Sequence, residues 1–94
     1  MSTVTRWIVN SRGHGQAVHH VHGIAGIDRH SGVFGTICEI AAPPNGPLDF
    51  PFIGGAAMEI RNVAPRDDGI VDVWIEVDWP VDLNFRYQLL VSND

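Results

Sequence analysis

The sequence predicts an all-β protein, a six-stranded antiparallel β-sandwich or flattened barrel in which residues 1–94 form a single domain. Three observations support this fold class. The last third of the chain alternates apolar and polar residues, six β-prone runs are separated by turn residues, and no window shows apolar residues at helical spacing. β-Branched residues dominate the apolar runs, which favours strands.

The alternation is clearest in the last two runs. Side chains of a strand point alternately to opposite faces, so the odd positions predict one apolar face and the even positions one largely solvated face. The apolar set is Val71, Val73, Ile75, Val77, Trp79, Leu83, Phe85, Tyr87, Leu89 and Val91.

All six predicted strands are bounded by residues that favour turns, such as Gly, Pro, Asp and Ser. Gly23 and Gly26 indicate a bend within the second run. The predicted strands are 3–10, 16–27, 33–41, 58–63, 70–79 and 83 onward.

The last two strands are predicted to pair as a hairpin. A three-residue loop at 80–82 would place Glu76 opposite Arg86 on the solvated face. The same register places Trp74 opposite Gln88. With the strand at 58–63 added beside them, the last three strands would form one sheet.

Residues 42–55 interrupt this pattern and carry four of the six prolines. Proline presets an extended backbone without donating a hydrogen bond, so such a segment suits a crossing between sheets. Its aromatic residues would then cap the core. The alternative is an arm that packs Phe50 and Phe52 on a neighbouring subunit or a ligand.

Charge and composition exclude some classes of partner. The formal net charge is −5, and the six basic residues are scattered arginines that form no stripe. Neither nucleic acid nor an anionic membrane is therefore expected as a partner. The single cysteine, Cys38, and the lack of a signal peptide or long apolar stretch lead us to expect a cytoplasmic location. Export without a signal peptide stays open.

A His-x-His motif is the first candidate site. His20 and His22 would lie on one face of a strand, at a spacing that suits zinc or copper. If the next hairpin pairs Ile27 with Val33, His22 lies opposite Cys38, which supplies a thiolate. Histidines on a surface or interface without metal are the alternative.

Trp74 is the second candidate, because the alternation places it on the solvated face between Asp72 and Glu76. An indole bordered by carboxylates and by Gln88 could stack on a sugar ring and bind its hydroxyls. Alternatively, Trp74, Ile70 and Leu90 form the seam of an oligomer.

These observations predict a small non-enzymatic binding or assembly module that forms a homo-oligomer and recognises carbohydrate or another small ligand. No residue is assigned a catalytic role; Glu39 and Glu59 would suit a general base only if a cleft enclosed them. The alternative is a metal-binding protein, or a small metal-dependent enzyme, that uses His20, His22 and Cys38. The first interpretation needs no cofactor, whereas the second needs zinc or copper.

Overall fold

A computed structural model describes residues 4–92, and within this range the chain forms seven β-strands. The all-β prediction is confirmed. Six strands were expected, and the additional one is the short β4, which lies inside the segment that the sequence predicts as a loop. The strands are β1 (Val4–Gly13), β2 (Gly15–Val21), β3 (Gly32–Ala41), β4 (Phe50–Phe52), β5 (Ala57–Pro65), β6 (Val71–Asp78) and β7 (Leu83–Ser92).

The strands pair antiparallel in two sheets that pack as a sandwich. A four-stranded sheet has the order β1-β7-β3-β4, and a three-stranded sheet has the order β2-β6-β5. Residues 4–92 contain no helix of the length and hydropathy needed to cross a membrane.

The ends of β1 and β2 differ most from the prediction. β1 continues past Asn10 to Gly13, because its last residues pair with the first residues of β7. Thr3, the predicted first residue, lies outside the described residues. β2 ends at Val21, and the apolar residues Ile24 and Ile27 that follow it enter the core from a loop.

The predicted hairpin between the last two strands is wrong. β6 belongs to the three-stranded sheet and β7 to the four-stranded sheet, so residues 79–82 cross between the sheets. The Trp79 amide donates to the Val77 carbonyl at 2.9 Å, in a tight turn that ends β6. Glu76 therefore lies opposite Gln16, and Arg86 lies opposite Asn10 and Cys38.

The apolar faces of β6 and β7 nevertheless form the core, as the alternation predicts. They face each other across the sandwich instead of lying side by side in one sheet. Eight side chains at their odd positions are at most 2% exposed, namely Val71, Val73, Ile75, Val77, Phe85, Tyr87, Leu89 and Val91. Trp79, at the crossing, is 40% exposed.

The proline-rich segment connects β3 of the four-stranded sheet to β5 of the three-stranded sheet, as the crossover interpretation predicts. Its aromatic residues Phe50 and Phe52 do not cap the core, because both are exposed. Part of it lies over the outer face of the four-stranded sheet. There the Asp49 amide donates to the Ala41 carbonyl at 3.2 Å, and the Arg86 guanidinium donates to the Asp49 carboxylate. Ile40 is only 3% exposed and is not part of the core between the sheets.

Candidate functional site

Trp74 lies on the outer face of the three-stranded sheet, where the alternation places it. Its indole is 37% exposed, and its neighbours in register are Val18 on β2 and Asn62 on β5. Asp72 and Glu76 flank it on β6. We call this surface the Trp74 face; it comprises Gln16, Val18, His20, Glu59, Arg61, Asp72, Trp74 and Glu76.

Side chains of the Trp74 face bond one another. The Trp74 indole N–H donates to Gln16 Oε1 at 3.2 Å, and Gln16 Nε2 donates to Glu76 Oε2 at 2.7 Å. Arg61 donates to Glu59 at 2.7 Å and to Glu76 at 3.3 Å, and its guanidinium lies 4.9 Å from the Trp74 ring centroid. Arg61 therefore makes a cation–π contact with the ring that a stacking ligand would need.

A second polar pair lies at the other end of this face. His20 Nδ1 is 2.6 Å from Asp72 Oδ1, and this hydrogen bond is the main reason that the pKa of Asp72 lies below its ordinary value. Arg66, at 3.6 Å, lowers the pKa of Asp72 further. His20 is thus hydrogen-bonded to a carboxylate through Nδ1.

The predicted oligomer seam is divided between two sides of the molecule. Leu90 and Gln88 lie on the outer face of the four-stranded sheet, on the opposite side of the sandwich from Trp74, so the predicted register of Trp74 with Gln88 is wrong. Ile70 is half-buried in the turn before β6. Phe50 and Phe52 are exposed on the edge strand β4.

Leu90 belongs to an apolar surface that the sequence did not reveal. Arg6 of β1 and Phe34 of β3 flank Leu90 in register, and Ile8 and Val4 lie on the same face of β1. Its apolar side chains are strongly exposed: Val4 is 65% exposed, Ile8 45%, Phe34 68% and Leu90 45%. We call these four residues the Leu90 patch. Alternation could not identify it, because β1 carries apolar residues on both of its faces.

The predicted metal ligands do not converge. β2 and β3 belong to different sheets, so His22 does not lie opposite Cys38. His22 is exposed beyond the end of β2, and the Cys38 thiol donates to the Glu39 carbonyl at 3.2 Å. Within residues 4–92, no group of three or more His, Cys, Asp and Glu side chains is placed to hold a metal ion.

One histidine contributes to the packing between the sheets. His19 Nδ1 hydrogen-bonds Tyr87 Oη at 2.9 Å, which links β2 of one sheet to β7 of the other. Burial, and secondarily the nearby His20, lowers the pKa of His19. Burial also raises the pKa of Tyr87 to about 12, so the phenol stays neutral at ordinary pH.

Comparison with known proteins adds no assignment: no protein-family model, no curated protein and no solved structure matches this chain.

Proposed function

We propose that the protein is a non-enzymatic assembly module that forms a homodimer through the Leu90 patch. The observation that carries this proposal is the set of four large apolar side chains, each 45–68% exposed, on the outer face of β1, β7 and β3, where Phe34 lies opposite Leu90 and Val4 and Ile8 lie diagonal to Leu90. Contiguous apolar surface of this kind marks interaction sites on soluble proteins.

The area of this face suits a second copy of the chain. Three ten-residue strands about 4.8 Å apart project a face of roughly 450 Å², and the proline-rich segment lies over the part of it near Ile40 and Arg86. The corrugated surface above such a face is larger, and a specific interface needs about 600–800 Å² from each partner. Burying what remains exposed of each patch side chain contributes about 1 kcal/mol.

Arg6 indicates how the two copies are oriented. It lies beside Leu90, between Val4 and Ile8 on β1, and has no ion-pair or hydrogen-bond partner among the described residues. A two-fold axis parallel to β7 and above Leu90 packs Leu90 on its own copy. It also places Arg6 over Phe34 of the second copy, as a cation–π pair worth ~0.5–2 kcal/mol.

Charge substitutions test both the interface and the axis by sedimentation equilibrium. Leu90→Glu brings two carboxylates together on the axis and should yield monomers. Phe34→Glu instead places a carboxylate opposite Arg6 and should retain the dimer. Ile53→Glu is the control, because Ile53 is 102% exposed and lies outside the patch.

Two results would contradict the proposal. An unchanged mass for Leu90→Glu would exclude the Leu90 patch as the interface. Dissociation of both Leu90→Glu and Phe34→Glu would retain the interface but reject this axis. Native mass spectrometry of the unsubstituted chain gives the reference mass and reports any bound metal.

Carbohydrate recognition at the Trp74 face is the second candidate function. It is favoured by an indole whose N–H is already held by Gln16, so that the ring is fixed between polar side chains. Because Arg61 contacts the ring, Arg61→Ala should strengthen binding on a sugar array, whereas Trp74→Ala should abolish it. Equal signals from both variants would reject this candidate, and Trp79→Ala is the matched tryptophan control.

A further inference from the structure

A cleft of about 190 Å³ opens at the side of the sandwich where β3 approaches β5. It lies between the two sheets, away from the Leu90 patch and from the Trp74 face. Its walls come from β3, β4, β5 and the segment before β5, and are formed mainly by Ile37, Glu39, Phe52, Ile53, Gly54 and Met58.

Among the described residues that line this cleft, Glu39 is the only one with a carboxylate, guanidinium or imidazole group. It lies opposite Phe85, which is 2% exposed, so its side chain belongs to the inner face of the four-stranded sheet. Among residues 4–92, no group donates a hydrogen bond to the Glu39 carboxylate or forms an ion pair with it. By contrast, Glu59 and Glu76 both bond Arg61.

Gly54 sets the mouth of the cleft. A Cβ at this position would overlap Glu39 Oε1 and would lie 3.1 Å from Phe52 Cε2. The missing side chain therefore lets the segment before β5 approach the carboxylate closely. The result is an acceptor group set among an aromatic ring, aliphatic side chains and the thioether of Met58.

We infer that this cleft binds a small primary amine with an apolar body. The ligand ammonium donates to the Glu39 carboxylate, and the apolar body packs against Phe52 and Met58. The ring of Phe52 adds a favourable site for the cation. The volume limits the ligand to about one ring, because cavities of ~150 Å³ hold benzene, whereas drug-sized sites occupy ~300–1,000 Å³.

Benzylamine is the probe, and benzyl alcohol is its neutral counterpart of nearly the same shape. Titration of the full chain at pH 7, followed by ¹H–¹⁵N NMR, should give saturable shifts at the amides of Glu39, Gly54 and Met58. Benzyl alcohol should bind at least ~10-fold more weakly, because it lacks the charge-assisted hydrogen bond.

Glu39→Gln keeps the shape of the side chain and should weaken benzylamine binding at least ~10-fold, while leaving benzyl alcohol unaffected. Glu59→Gln is the matched control, since Glu59 lies on the Trp74 face, and should leave both affinities unchanged. Gly54→Ala should narrow the mouth and weaken both probes.

Three outcomes would overturn the inference. They are equal binding of benzylamine and benzyl alcohol, full affinity in Glu39→Gln, and no saturable shift in the cleft up to tens of millimolar. Each is independent of the oligomeric state, because the cleft amides are remote from the Leu90 patch, so the dimer proposal and this inference fail separately.

Discussion

An engineered disulfide distinguishes the observed pairing of β6 from the hairpin that the sequence favours. Gln16 and Glu76 lie opposite each other on β2 and β6. Facing residues of antiparallel strands have Cα atoms about 4.5–5.5 Å apart, which is within the range that a disulfide spans. The double variant Gln16→Cys and Glu76→Cys, in a Cys38→Ser background, should therefore oxidise readily.

The expected gain in stability follows from the length of the closed loop. The two positions are 60 residues apart, and the loop-entropy relation gives a loss of about 14 cal/mol/K for the unfolded chain, or about 4 kcal/mol at 25 °C. The substitutions also remove the 2.7 Å hydrogen bond between Gln16 and Glu76, which costs about 1 kcal/mol. We expect a net stabilisation of up to about 3 kcal/mol.

Urea unfolding of the oxidised variant and of the Cys38→Ser parent measures this difference, and mass spectrometry of the intact protein reports bond formation. The double variant Glu76→Cys and Arg86→Cys is the control. The predicted hairpin would place these two positions opposite each other, whereas the structure places them in different sheets. Efficient oxidation of the control, with a free thiol pair in the first variant, would refute the observed topology.

Two further predictions concern side chains that tie parts of the fold together. The pKa of His19 in the folded protein lies below 6.5, so the folded state favours the neutral imidazole. This contribution to stability is present above pH 6.5 and is lost as the pH falls below 6.5. In urea unfolding measured below pH 6.5, His19→Gln should therefore flatten the dependence of stability on pH. The Arg86 guanidinium holds Asp49 on the outer face of the four-stranded sheet. Arg86→Gln should therefore lower the free energy of unfolding by about 1 kcal/mol. It should also speed amide hydrogen exchange in residues 42–49 but not in β5. Unchanged exchange would show that the segment is held by its other contacts.

Much of the fold could be predicted because alternation reports which side chains face the core. All eight buried residues of β6 and β7 fall on the predicted face, and Trp74 falls on the opposite one. Alternation does not report which strands are neighbours. A hairpin and a crossing between sheets bury the same odd positions, so the sequence pattern could not distinguish them.

Because alternation does not identify neighbouring strands, it predicted the Trp74 site more accurately than the metal site. Trp74, Asp72 and Glu76 share one strand, so their common face needed no register and was predicted correctly. The set of His20, His22 and Cys38 needed a register between two strands, and that register is wrong. The surroundings of Glu39 depend on how residues 53–56 approach β3, which no local pattern specifies.

The hydrogen bonds of the two outer faces favour the four-stranded sheet as the assembly surface. On the Trp74 face, Gln16, Glu59, Arg61 and Glu76 already bond one another, so a protein partner would have to desolvate these charges without supplying better partners. On the other face, four exposed apolar side chains lie among Arg6, Gln88 and Ser92, and Arg6 has no partner among the described residues. Burying this surface removes apolar area from water and gives Arg6 an aromatic partner. Both terms favour association, which is why we propose the Leu90 patch as a dimer interface and the Trp74 face as a surface for a ligand.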